Sequence, residues 1–225
     1  MKIRNIAALA LAITSALATN GAVVLVTSSA ALGENDSTDW SALGVIDSLH
    51  ASPLNTTTLG GRSFTATTSG GGDFQRYIQD GVDWNGNFAP NTPLLYSGDA
   101  PMTFVFAVPI RGAGMRIQPD DNQIGAFTAK IGAFGTGDVL LGTFTSVGYG
   151  NQTADGSALF IGAKSDADDI AKIKISFTAT QLGTLEFMAI SDISISAVPE
   201  PATYAMTAAA GLLAFAGWRR RAGCA

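Results

Sequence analysis

The 225-residue chain has few of the groups that most catalytic and metal sites need, with one cysteine and one histidine. The cysteine is Cys224, beside the C-terminus, so the rest of the chain cannot form an internal disulfide. His50 has no second histidine or nearby cysteine for a metal pair, and the residues around it do not resemble a nucleophile elbow. We therefore expect a protein that is not an enzyme and that needs no cofactor.

Charge is also scarce, at 14% of residues against about 25% in an average globular protein. Residues 35–197 contain eight Lys or Arg and sixteen Asp or Glu, a net charge of about −8. An acidic surface repels phosphate backbones, so we expect no nucleic-acid partner. The few charges and the 26 glycines favour an all-β extracellular module over a helical cytosolic enzyme.

The N-terminus has the pattern of an export signal. Lys2 and Arg4 precede an almost uninterrupted apolar run over residues 6–18, which is too short to span a membrane. This predicts a cleavable signal peptide within residues 1–31 and export by the Sec machinery. Small residues allow cleavage after about Ala18 or after Ala31, and the sequence does not decide between the two.

The C-terminus combines three features in a fixed order. Pro199-Glu200-Pro201 ends any preceding secondary structure, because proline fixes φ and lacks the amide hydrogen. Residues 202–218 carry no charge and predict a transmembrane helix, about 25 Å long at ~1.5 Å per residue. A cluster of three arginines follows, and the positive-inside rule places it in the cytoplasm: Arg219, Arg220 and Arg221.

In this order, over residues 198–221, these features resemble the PEP-CTERM sorting tail of Gram-negative bacteria, which predicts a tail at residues 198–225. The resemblance implies that Pro199, Glu200 and Pro201 form the sorting motif and that exosortase is the processing partner. It further implies an exported protein that is first an inner-membrane-anchored precursor and later lies at the cell surface or outside the cell. Such proteins are associated with exopolysaccharide and biofilms.

Residues 32–197 are predicted to form the exported domain, as a β-sandwich. Alternation of apolar and polar residues predicts strands at 115–118, 127–131 and 172–178. Residues 102–108 are apolar on both faces, which predicts a central strand of the sandwich. Further strands are predicted at 140–147, 158–163 and 187–195, whereas residues 56–72, rich in Thr, Ser and Gly, predict a long loop.

The fold class predicted is therefore all-β, flanked by an N-terminal signal helix and a C-terminal transmembrane helix. Seven or more short strands divided by turns favour a sandwich, with a jelly-roll as one arrangement. Residues 101–197 also resemble the sandwich regions found ahead of PEP-CTERM tails, which implies a galactose-binding-like arrangement as the other.

Two groups of carboxylates are candidate calcium ligands, because Ca²⁺ takes six to eight oxygen ligands. Asp166, Asp168 and Asp169 crowd one loop, and Asp120 and Asp121 crowd another. Neither loop has the order of an EF-hand. The alternative is that both are solvated turns without a metal.

Aromatic residues offer a candidate glycan site. Tyr77 and Trp84 provide rings on which a sugar can pack, and Asp83 can accept hydrogen bonds from hydroxyl groups. Core packing is the alternative explanation of each ring.

The sequence as a whole leaves two functions: a non-enzymatic surface or extracellular-matrix protein associated with exopolysaccharide, or a carbohydrate-binding module. A hydrolase is a third and more distant one.

Overall fold

A computed structural model describes residues 21–98, 101–119, 124–179 and 187–198. These residues form one short helix, α1 (Ser29–Leu32), two 3₁₀ helices and fifteen β-strands. The first eight strands are β1 (Val23–Val26), β2 (Asp36–Ser37), β3 (Leu49–His50), β4 (Leu54–Thr57), β5 (Ser63–Thr68), β6 (Phe74–Ile78), β7 (Pro93–Ser97) and β8 (Met102–Ile110). The remaining seven are β9 (Gly112–Pro119), β10 (Gly125–Phe134), β11 (Leu140–Gly150), β12 (Leu159–Ser165), β13 (Ile170–Ala179), β14 (Met188–Ile190) and β15 (Ser194–Ser196). The 3₁₀ helices are Trp40–Leu43 and Thr136–Asp138.

The strands form two antiparallel sheets. The nine-stranded sheet has the order β1-β12-β9-β14-β7-β6-β3, and β15 joins it by pairing with β9 and with β2. The six-stranded sheet has the order β11-β10-β13-β8-β5-β4. Neighbouring strands in both sheets are paired antiparallel. The all-β prediction and the β-sandwich are confirmed.

Alternation along the strands puts one face of each sheet into the core. In β13, Ile173, Ile175 and Phe177 are buried, and the lysines and serine between them point the other way. The predicted strands at 115–118, 127–131 and 172–178 lie within β9, β10 and β13. These three predictions are confirmed. Strands β10 and β13 alternate with the period of two of a half-buried strand, whereas β9 is buried on both faces except at Arg116.

The main core lies between the two sheets and is rich in aromatic rings. Phe64 on β5 is at its centre, with ring centroids 6.3 Å from both Trp40 and Phe104 and 6.1 Å from Phe106. Each of these four side chains is at most 5% exposed. Burial of large side chains at about 1.5–3 kcal/mol each supplies much of the stability that a domain without a disulfide needs.

The structure departs from three predictions about the strands in part or in full. Strand β8 is central, as predicted, but Val105 is 43% and Val108 is 52% exposed, so its second apolar face is open to solvent. Residues 56–72 contain a hairpin of β4 and β5 in place of a long loop, since threonine is compatible with a strand whose outer face is solvated. The predicted strand at 187–195 is two short strands, β14 and β15, which pair with successive parts of β9.

The start of the described chain belongs to the nine-stranded sheet. Strand β1 pairs with β12 from Val23 opposite Ser165 to Val26 opposite Gly162. Val26 is 5% exposed, and Leu32 is fully buried in a small cluster with Phe160. A domain boundary at residue 32 thus falls at the end of α1, within the packed structure.

Both predicted terminal helices, the signal helix and the transmembrane helix at 202–218, lie outside the described residues. Within the part of the chain that the structure describes, no helix combines the length and the apolar character needed to cross a bilayer.

Asp192 lies between β14 and β15 and holds the Trp40–Leu43 helix against them. Its Oδ1 accepts hydrogen bonds from the backbone N–H of Trp40 at 2.8 Å and from Thr38 Oγ1 at 3.4 Å. Desolvation by burial, followed by the negative charge of Asp39, raises the pKa of Asp192 from 3.8 to about 6, against the lowering by these hydrogen bonds. The folded state therefore binds this proton more tightly than the unfolded state.

Replacing Asp192 with Asn is expected to flatten the dependence of stability on pH. A raised pKa in the folded state means that the stabilising effect of protonation is present below about pH 4 and is lost as the pH rises through about 6. Asn keeps the acceptor oxygen without the charge, so Asp192→Asn should be more stable than the parent at pH 7 by about 1–2 kcal/mol, after discounting for solvent screening. Urea denaturation at pH 4, 5, 6 and 7 measures this. If the difference in the free energy of unfolding between the two proteins stayed the same from pH 4 to pH 7, the result would contradict this prediction.

Candidate functional site

Four aromatic rings cluster on the outer face of the nine-stranded sheet. The ring centroids of Tyr77, Trp84 and Tyr96 are 5.3–6.0 Å apart, and Phe187 stacks on Tyr96 at 6.5 Å with an interplanar angle of 10°. Trp84 is 2% exposed, whereas Phe187 is 45% exposed. Trp84 therefore supports the other rings from beneath, and the half-buried tyrosines and Phe187 form the accessible part of the cluster.

Strand register explains why the two tyrosines meet. Tyr77 of β6 pairs with Leu94 of β7, and Gln75 pairs with Tyr96, which places both tyrosines on one face as diagonal neighbours. Alternation directs them away from the main core and against a second buried cluster, which includes Phe88 and Leu94. The sequence prediction named Tyr77 and Trp84, and the structure brings them together with Tyr96 and Phe187.

The loop that carries Trp84 is fixed by buried amide side chains. Gln79 is fully buried; its Nε2 donates to the Trp84 carbonyl at 3.1 Å, and its Oε1 accepts from the Gly86 N–H at 3.0 Å. Gln118 Oε1 on β9 accepts from the Asn87 N–H at 2.7 Å. These bonds give partners to backbone N–H and C=O groups of a loop that crosses the sheet surface, where water has little access.

Asn87 connects this loop to a second one that follows β11. It is 1% exposed; its Nδ2 donates to the Tyr149 carbonyl at 3.0 Å and to Ser157 Oγ at 2.9 Å. Its Oδ1 accepts from the Asn151 N–H at 2.6 Å. Arg116 Nη1 holds the far end of the second loop by donating to the carbonyls of Gly156 and Ala158, at 3.0 and 2.8 Å.

Two donors at the base of the cluster are buried without a partner among the described residues. They are Trp84 Nε1 and Gln118 Nε2. Both lie beside Gly86: a Cβ there would be 2.7 Å from the first and 2.6 Å from the second. Only glycine fits at this position, and any side chain would displace the two donors.

Carboxylates border the cluster on the loop before Trp84. Asp80 Oδ1 accepts from the N–H groups of Val82 and Asp83 at 2.8 Å each, and these bonds lower the pKa of Asp80. Desolvation, followed by the charges of Asp80 and Asp47, raises the pKa of Asp83. Asp83, the predicted ligand residue, directly precedes Trp84, is half-buried and can accept hydrogen bonds from a ligand.

The predicted calcium ligands are engaged separately. Asp168 Oδ1 lies 3.3 Å from Arg111 Nε, and Asp169 Oδ2 accepts from the Gly21 N–H at 2.6 Å. Asp166 is exposed, and Asp120 and Asp121 lie outside the described residues. Among the residues that the structure covers, no three His, Cys, Asp or Glu side chains converge in a way that could hold a metal ion.

The histidine has a serine neighbour. His50 Nε2 lies 2.9 Å from Ser48 Oγ, on the short strand β3 at the edge of the sheet. In the described ranges, no carboxylate forms a hydrogen bond with His50. The arrangement lacks the acidic partner that orients the imidazole in a catalytic triad.

The folded domain ends in a clamp directly before the predicted sorting motif. Asn35 Nδ2 donates to the Ala197 carbonyl at 2.7 Å, and Asn35 Oδ1 accepts from the Ala197 N–H at 3.1 Å. Arg62 Nη2 donates to the Val198 carbonyl at 2.8 Å. Val198 is thus the one residue between the buried Ala197 and the predicted motif, and Pro199, Glu200, Pro201, Arg219, Arg220 and Arg221 lie outside the described residues.

The fold and this C-terminal arrangement define an all-β sandwich whose last strand leads at once into a tail. Residues 197–221 match the family model of the PEP-CTERM protein-sorting motif, which confirms the resemblance found in the sequence. The chain therefore carries a PEP-CTERM sorting tail. No curated protein matches the chain closely enough to count as a relative.

Two solved structures are similar in part. A DUF4465 family protein from Bacteroides caccae ATCC 43185 shares 10% identity at a TM-score of 0.46, over 72% of this chain and 99% of that chain. CsCBM6-3 from Clostridium stercorarium, solved in complex with cellobiose, shares 11% identity at a TM-score of 0.22, over 81% of this chain and 100% of that chain. Likeness at this level carries no argument about function.

Proposed function

We propose that the chain is a non-enzymatic surface or extracellular-matrix protein, exported by the Sec machinery and sorted through its C-terminal tail by exosortase. The match of residues 197–221 to the PEP-CTERM motif carries the proposal. In this proposal the precursor is held in the inner membrane by residues 202–218, and processing delivers the sandwich to the cell surface, where it joins a biofilm or exopolysaccharide matrix.

The clamp at Ala197 supports a separate role for each part of the tail. Ala197 is 5% exposed and is held by Asn35, and Val198, which directly precedes the predicted motif, is 41% exposed. Pro199-Glu200-Pro201 presents an extended segment for recognition, because its prolines block a helix. Arg219–Arg221 fix the orientation of the membrane segment.

Replacing Pro199-Glu200-Pro201 with three alanines is expected to leave an unprocessed, membrane-held precursor. The change leaves the apolar segment and the arginines intact, so insertion continues while recognition is lost. Fractionation and intact-mass measurement in strains with and without exosortase test this. The control replaces Gly223 and Cys224, beyond the arginines, with alanine and should be processed normally. The sorting proposal would be overturned if the exosortase-positive strain released parent protein that still carries Cys224 and Ala225.

A carbohydrate-binding module is the second candidate, with either a jelly-roll or a galactose-binding-like sandwich. The aromatic cluster favours it: Tyr77, Tyr96 and Phe187 offer ring surfaces for the apolar face of a sugar, with Trp84 beneath them and Asp83 as a hydrogen-bond acceptor. Binding to a panel of neutral polysaccharides separates this candidate from a purely structural matrix role.

A further inference from the structure

Lysines are concentrated on one surface of this acidic protein. The described residues contain four lysines, and three of them lie on the outer face of the six-stranded sheet: Lys130, Lys172 and Lys174. No strand of that sheet contains an Asp, a Glu or an Arg. The sheet is therefore a local positive region on a chain with a net charge of −5.

Strand register brings these lysines close together. Lys174 of β13 is opposite Gly132 of β10, and Lys130 is two residues away from Gly132 on the same strand. With about 4.8 Å between strands and about 6.8 Å between alternate residues, the Cα atoms of Lys130 and Lys174 are about 8 Å apart. Both lysine side chains point to solvent, because the residues next to each of them in its own strand point into the core.

Two of the three lysines are unpaired. Lys172 forms an ion pair with Asp138 and lies 4.5 Å from the centroid of the Phe134 ring. Lys130 and Lys174 are exposed and make no hydrogen bond or ion pair with any residue that the structure describes. These two ammonium groups are available to an external anion.

A groove of about 380 Å³ runs between these two lysines, which we call the lysine groove. It is within the size range of ligand sites, about 300–1,000 Å³. Outward-facing Gly132 has no side chain, which leaves the depression in the sheet. The walls carry cations, hydroxyls and apolar groups together: Lys130, Lys174, Thr143, Ser176, Phe134 and Leu140.

We propose that the lysine groove binds an acidic polysaccharide, a chain of sugars that bear carboxylates. The carboxylates pair with Lys130 and Lys174, the sugar hydroxyls bond to Thr143 and Ser176, and the apolar faces of the rings pack on Phe134 and Leu140. The wall chemistry matches this combination group by group. Duplex DNA, with one charge per about 1.7 Å, would require many more cations than the two that line this groove.

This inference depends on the proposed function at one point only. The protein must lie at the cell surface in order to meet the polysaccharide. The residues that line the groove all precede the tail in the sequence, so purified protein tests it whether or not the tail is processed. Failure of sorting and failure of binding are therefore separate results.

The experiment measures binding of the full-length chain, in a non-ionic detergent, to polygalacturonate and to dextran. The test variant is Lys130→Gln with Lys174→Gln. The control is Lys164→Gln, which removes the one described lysine on the other sheet. We expect the parent and the control to bind polygalacturonate, and the double variant to bind at least about tenfold more weakly. Raising NaCl to 0.5 M should weaken binding by the parent, because salt screens exposed charges.

Because both substituted lysines are exposed, the double variant should keep the melting temperature of the parent. Equal binding by the parent and the double variant would overturn the proposal. So would equal weakening in Lys164→Gln, or an absence of binding to polygalacturonate by the parent. Binding to phosphatidylglycerol vesicles without binding to polygalacturonate would assign the lysines to a membrane surface. Binding to dextran unaffected by the substitutions would locate sugar recognition away from the groove.

Discussion

A chain that begins at Leu32 is expected to be less stable than one that begins at Thr19 by about 3–6 kcal/mol. The shorter chain lacks β1, so it loses the buried side chain of Val26, the half-buried side chains of Val23 and Leu25, and a four-residue strand pairing. A whole domain is stable by only about 5–15 kcal/mol, so the loss is a large fraction of the total. Urea denaturation of the two chains measures the difference.

This result would also favour one of the two signal cleavage positions. Cleavage after Ala31 would remove the strand, whereas cleavage after Ala18 would leave it in place. We therefore expect the exported protein to begin at Thr19, which intact-mass measurement detects. Val26→Ala and Val24→Ala form a matched pair within the strand, since Val26 is 5% and Val24 is 55% exposed. Equal stability of the two truncated chains, or an exported protein that begins at Leu32, would contradict the expectation.

Asn87→Ala is expected to destabilise the protein by about 2–4 kcal/mol. The substitution removes three side-chain hydrogen bonds at once, those to the Tyr149 carbonyl, Ser157 Oγ and the Asn151 N–H. Alanine can replace none of them, and the site is too well buried for water to enter freely. The two loops beside the aromatic cluster lose their connection, so amide exchange in both should become faster.

Asn85→Ala is the control for this prediction. Asn85 is two residues away on the same loop, is half-buried and makes no hydrogen bond with a described residue. Its substitution should change the free energy of unfolding by less than about 0.5 kcal/mol. Similar losses in the two variants would mean that the loop as a whole, rather than the amide of Asn87, determines the stability.

The sequence predicts strands well where only one face is apolar. In β13 the buried isoleucines alternate with Lys172, Lys174 and Ser176, and this contrast is visible in the sequence. In β8 the contrast is missing, because the exposed Val105 and Val108 are as apolar as the buried residues beside them. The hairpin of β4 and β5 was missed for the opposite reason. Its outer face is made of Thr, Ser and Asn, which are also common in loops.

The candidate sites depend on contacts between residues that are far apart in the sequence, and no local sequence pattern shows such contacts. Tyr77 and Trp84 were predicted as possible sugar-binding residues, but the burial of Trp84 and the stacking of Phe187 on Tyr96 follow from strand order. Asn87 and Gln118, which hold the aromatic loop, are 31 positions apart. The grouping of Lys130 with Lys174 requires the pairing of β10 with β13. The tail is different, since its three features are consecutive and could be recognised from sequence alone.

The Asn35–Ala197 clamp determines how freely the sandwich moves while the proposed anchor remains in the membrane. The clamp fixes the chain at Ala197, and the proposed membrane segment begins only five positions later, at residue 202. While that proposed anchor is in the membrane, the sandwich is confined to a thin layer at the bilayer surface. Cutting the tail changes this confined domain into one that diffuses in three dimensions. Processing would thus alter the reach of the domain without altering its fold.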